Sequence, residues 1–212
     1  MRESIEVKTT NKLKTLTLLL AVAAPAAAIA ESNFQTGAGS LTGTAKLDFQ
    51  ITIPKVLFLQ VGTGALYTNN TAVNLITFNV PAANVGDGTP ISATAGSGDL
   101  GNGAVTAIVR GNNGAVTLNA TAVGALSNGA GDTINFSEIV TTATTLTTAT
   151  ALAAPTLTNG VSGNVTVPAV GKVVNRDARW TYTYANSAVV APGTYGGVNV
   201  NNGRVTYTAA MP

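Results

Sequence analysis

Six carboxylates, Asp48, Asp87, Asp99, Asp132, Glu138 and Asp177, are the side chains that paired acid–base chemistry would draw on here. Two carboxylates can divide the work of acid and base across a scissile bond, but only when held within about 5–10 Å of each other. None of the six forms a close pair in the sequence, and Asp87, Asp99 and Asp132 each adjoin glycine. Turn aspartate is the first reading of those three, and a weak Ca²⁺ site of carboxylate and carbonyl oxygens the second. Histidine and cysteine are absent, so neither Ser-His-Asp nor Cys-His catalysis, nor a histidine or thiolate metal centre, can be assembled within the chain. The glycine-rich stretch from Gly96 to Gly103 lacks a P-loop lysine and a following helix, so it reads as turns rather than a phosphate cradle. The expectation is a protein without catalytic residues, metal or cofactor.

What the chain does carry is strand pattern, strongest over Ala45–Val61 (AKLDFQITIPKVLFLQV). Leu47, Phe49, Ile51 and Ile53 take every second position, with Lys46, Asp48, Gln50 and Thr52 between them, which is a strand with one dry and one wet face. Pro54 breaks the pattern because it has no N–H for a ladder. The run Val56–Leu59 that follows is apolar on both faces, as in a core strand.

Residues 1–30 read as a secretory signal: Arg2, Lys8, Lys12 and Lys14 form a basic start, Leu16–Ala24 an apolar run, and Ala28-Ile29-Ala30 a small-x-small cleavage site. The apolar run is interrupted by Pro25 and is shorter than the ~20 residues a spanning helix needs, so no membrane span is expected after cleavage. Four of the eleven basic and two of the nine acidic residues precede the cut, leaving seven of each. A neutral mature chain removes the electrostatic basis for binding nucleic acid. Charged residues are only 9 % of the whole, against ~25 % in an ordinary domain. The surface must then be largely Thr, Asn and Ser, and weak charge protects poorly against self-association.

Residues 31–53 are expected to be an arm carrying the alternating segment, and residues 54–212 a single domain. Strands are expected at Asn74–Val80, Ile91–Ala95, Ala104–Arg110, Ala115–Ala122, Thr133–Val140, Asn164–Pro168, Arg179–Tyr184, Thr194–Val200 and Arg204–Ala209. Between them, Asn-Gly, Asp-Gly and Gly-rich turns recur. The link Gly111-Asn112-Asn113-Gly114 predicts a hairpin. Thr141–Leu157 is a Thr/Ala run, read first as a poorly packed edge strand with a loop and second as a place for O-linked sugar. In RWTYTY, Trp180, Tyr182 and Tyr184 share one face, either core or a contact surface. Tyr195, following a glycine turn, reads as a structural corner. About ten strands and no convincing helix define an all-β chain, expected as an Ig-like Greek-key β-sandwich with an N-terminal extended donor-type strand.

AKLDFQITI, then PKVLFLQVG, then PGTYGGV near the C-terminus resemble the layout of chaperone–usher pilins, particularly the alpha-type fimbrial major subunits. The resemblance covers the two ends of the chain and not its middle. It implies a sandwich short of one strand, completed by the N-terminal segment of a neighbour. Leu47, Phe49, Ile51 and Ile53 would then be the donor residues, with Phe34–Leu41 a rival segment that has the position but too few anchors. It further implies a secreted homopolymer on the cell surface with a role in adhesion or biofilm, assembled with a periplasmic chaperone and an outer-membrane usher. The rival reading is a monomeric secreted carbohydrate-binding module that uses the Trp180, Tyr182 and Tyr184 face.

Overall fold

The computed structural model describes residues 31–212; the expected leader, residues 1–30, lies outside the described residues. The chain divides after Thr52 into two units. In the first, residues 31–52 form neither helix nor strand. The alternating segment expected as a ribbon therefore has no ladder partner among the described residues.

The second unit contains β1 (Leu57–Val61), β2 (Ile91–Ser92), β3 (Ala104–Gly111), β4 (Val116–Ala122), β5 (Leu126–Ser127), β6 (Thr133–Ile134), β7 (Ile139–Thr144), β8 (Val165–Val167), β9 (Val174–Tyr184) and β10 (Val205–Ala210). The all-β reading holds: the only helical pieces among the described residues are 3₁₀ turns at Ala82–Asn84 and Phe136–Glu138. β9 is the axis of the first sheet. β3 pairs with its residues 174–181 and β7 with 179–184, so the two occupy opposite edges, and β1 lies beyond β3. β2 extends the β3 side at residues 183–184. The second sheet runs β10-β4-β8, and β5 with β6 makes a small ribbon; all these pairs are antiparallel.

Alternation explains why the two sheets face each other. Val105, Ala107 and Val109 of β3, Val174, Ala178 and Trp180 of β9, and Val116, Leu118 and Ala120 of β4 join in one buried cluster. Their odd-even partners carry Thr, Asn and Arg outward, the pattern of a two-layer sandwich with polar outer faces.

Several strand expectations are corrected, among them Thr133–Val140, which the 3₁₀ turn Phe136–Glu138 splits between β6 and β7. Strands β3 and β4 do not form a hairpin; they belong to different sheets, and the 111–114 link crosses between layers. Its polar groups bond to neighbouring segments: Gly114 N–H to Lys172 O at 2.9 Å, and the Asn112 amide to Pro54 O and Val56 N–H. Asn74–Val80 is extended but has only one bridge, Phe78 to Ala93, because its backbone bonds go to Thr94 and the Ser97 hydroxyl. Thr194–Val200 is irregular, bending at Val198–Val200, with positive φ at Gly196, Gly197 and Asn199. Gly203 packs there so closely that a Cβ would meet the Gly197 oxygen at 2.4 Å.

Candidate functional site

A groove lies between the edges of the two sheets. β10 is paired on one edge with β4, and among the described residues no strand occupies its other edge. Half of its backbone donors and acceptors therefore point away from β4. Its alternation turns Val205, Tyr207 and Ala209 toward the core and Thr206 and Thr208 outward. β1, in the opposite sheet, is paired only with β3 among the described residues. No ladder joins β1 to β10.

The two edges are clasped at one end. The Lys55 ammonium and the Asn113 amide both donate to Pro212 O, and Asn113 N–H reaches Met211 Sδ at 3.3 Å. Gly111 admits this approach, since a Cβ there would stand 2.9 Å from Met211 Sδ. Toward Val61 and Val205 the edges part around a cavity of about 700 Å³. Val61, Ile76, Phe78, Val105, Tyr182, Val205 and Tyr207 are among the residues that line it.

Two of these are tyrosines that join the sheets. The hydroxyls of Tyr182 on β9 and Tyr207 on β10 are 2.8 Å apart, a hydrogen bond from one sheet to the other, and the Tyr207 ring packs 5.3 Å from that of Trp180. Burial pushes both phenols up, Tyr207 to about 12 and Tyr182 well above the ordinary range, with the Tyr207 neighbour adding to the latter. Both therefore stay neutral and keep the bond. At the rim, Tyr195 donates its hydroxyl to Ala191 O at 2.7 Å, and the residue lies in irregular backbone rather than at the start of a strand.

The predicted donor residues Leu47, Phe49, Ile51 and Ile53 are 64–86 % exposed. Trp180, Tyr182 and Tyr184 are buried in the core, so the expected sugar-stacking face has no exposed ring. Trp180 donates its indole N–H to Leu152 O at 2.7 Å, which satisfies its one polar atom. Four of the candidate carboxylates are taken up by turn and loop contacts. Asp87 accepts from Thr89 N–H and the Asn84 amide, Asp99 from Thr106 N–H, Asp132 from the Asn128 amide, and Glu138 from Ser187.

Asp177 is the exception in depth. It is buried on β9 and accepts from the backbone N–H and hydroxyl groups of both Thr147 and Thr148. Burial pushes its carboxyl up, but those bonds outweigh it and bring it down to about 2. The Thr/Ala run after β7 is thereby pinned to β9, a structural use of a residue that sequence reasoning had held open for chemistry.

Sequence reasoning missed the groove. Its signal, the alternation of Val205, Tyr207 and Ala209, was visible, but one-sided pairing is a property of the assembled sheets. No family model, curated protein or solved structure matches this chain.

Proposed function

We propose that the protein is a structural subunit of an extracellular surface fibre, of the chaperone–usher, alpha-fimbria-like type, that polymerises head to tail by strand donation. In this reading the second unit is an Ig-like Greek-key sandwich short of one strand. Lys46–Ile53 of one copy lies along the free edge of β10 in the next and directs Leu47, Phe49, Ile51 and Ile53 into the groove. The contact joins two different surfaces and does not close on itself, so it propagates as a filament. Main-chain bonds to β10 supply affinity, and the alternating side chains supply register. A periplasmic chaperone would occupy the groove before assembly and an outer-membrane usher would extrude the product, giving a secreted polymer suited to adhesion or biofilm.

The observation that carries the reading is the exposure of four in-phase apolar side chains. Burying each is worth about 1.5–3 kcal/mol, a large gain left uncollected in the single chain. The lengths are compatible as well. Leu47 to Ile53 extends about 20 Å and β10 about 17 Å at ~3.3 Å per residue. The test is deletion of residues 31–53 from the chain, followed by electron microscopy and size exclusion. The intact chain is expected to form fibres and the deleted one to remain monomeric; fibres from the deleted chain would refute the donor assignment.

A further inference from the structure

A second concave site lies on the opposite face of β1, independent of the groove. Leu59, Val109 and Val174 point into the core, so their neighbours Phe58, Arg110 and Asn175 stand on the outer face. The register sets Phe58 opposite Arg110 and Arg110 opposite Asn175, a row across three strands with neighbouring Cβ atoms about 4.5–5.5 Å apart. Tyr67 reaches the same place from the following loop. Its ring centroid lies 5.5 Å from that of Phe58 with the planes tilted 59°. Together with Leu66 these residues line a cleft of about 800 Å³ in which Arg110 is the only charged side chain among the described residues. No carboxylate pairs with Arg110 among the described residues.

Tyr67 is held unusually. It occupies the third position of a turn closed by Thr68 N–H to Ala65 O, with φ of +57°, where glycine or asparagine normally sits. An aromatic residue adopts that backbone only at a cost, and here it leaves the ring 63 % exposed. Strain that presents a ring to solvent contributes nothing to a core.

We infer that this cleft binds a carboxylated pyranose, such as a uronic acid unit of a glycan. The flat face of the sugar ring stacks on Tyr67, its carboxylate takes the paired N–H groups of Arg110, and a hydroxyl meets the exposed Asn175 amide. A neutral sugar leaves Arg110 unused, and a simple anion leaves the aromatic wall unused.

The test uses the full chain and two probes, methyl glucuronide and methyl glucoside, with saturation-transfer NMR reading contact to the ring protons. Glucuronide is expected to bind about five- to ten-fold more tightly than glucoside. Arg110→Gln should abolish that difference. Tyr67→Gly should remove binding of both while leaving the thermal midpoint unchanged or raised, because glycine relieves the positive φ. Absence of glucuronide contact, equal affinity for the two probes, or a Tyr67→Gly variant that melts earlier yet binds normally would each overturn the assignment.

Discussion

Lys46–Ile53 and Arg179–Tyr184 follow the same rule of alternation and end in opposite surroundings. The first sets Leu47, Phe49, Ile51 and Ile53 in phase and leaves them in solvent; the second sets Trp180, Tyr182 and Tyr184 in phase and buries all three. The physical difference lies in the edges. β9 is bonded on both sides, to β3 and to β7, and its inner face meets β4 and β10 across the core. The N-terminal segment has no ladder among the described residues. A period of two thus specifies that a face must be covered, and says nothing about which molecule covers it.

The comparison breaks most sharply at its buried end. Trp180→Ala should lower unfolding free energy by about 3–5 kcal/mol in urea titration, because a cavity opens and Leu152 O loses its donor. A cost under about 1 kcal/mol would mean that the RWTYTY face is not the core. Next in size is Asp177. A carboxylate brought down to about 2 from 3.8 stabilises the fold above pH 4, and its contribution is lost as pH falls toward 2. Acid titration should show about 2 kcal/mol disappearing over that window, and Asp177→Asn should flatten the profile there. A wild-type profile with no slope between pH 4 and 2 would contradict the pinning role.

Smaller again is the tyrosine pair. Tyr207→Phe removes the bond to Tyr182 between the sheets and should cost about 1 kcal/mol, with a larger loss in fibre yield than in subunit stability. The smallest effect on stability is expected from Phe49→Ala. An exposed side chain contributes within ~0.5 kcal/mol to the subunit, yet this substitution should slow or abolish polymerisation followed by light scattering. Normal assembly of Phe49→Ala together with Ile51→Ala would remove the contrast between the two segments.

Much of the interior was legible because strands buried on one face advertise it. β3, β4, β8 and β10 fall within a residue or two of the expected runs, and β9 contains the expected Arg179–Tyr184 but begins five residues earlier, at Val174. Connectivity was harder. The 111–114 link has the composition of a hairpin turn, and only the partners claimed by each flanking strand, β1 and β9 on one side and β10 and β8 on the other, send it across the layers. Asn74–Val80 has a strand's alternation, but its backbone groups bond to the 94–97 turn, so the pattern is present without the ladder. Asp177 could not be read as an anchor, since its donors lie about thirty residues away and meet it only after folding. The groove is the extreme case: its edges, β1 and β10, come from opposite ends of the domain.

Because the chain has no cysteine, the donor segment can be located covalently. Full-length chains carrying Ile51→Cys are mixed with chains carrying cysteine at Val205, Tyr207 or Ala209, allowed to assemble and oxidised. A disulfide requires Cα atoms within about 7 Å. Mixed covalent dimers containing one chain of each kind are predicted for at least one of the three positions. Their absence at all three, or closure of the disulfide within a single doubly substituted chain, would contradict strand donation between copies.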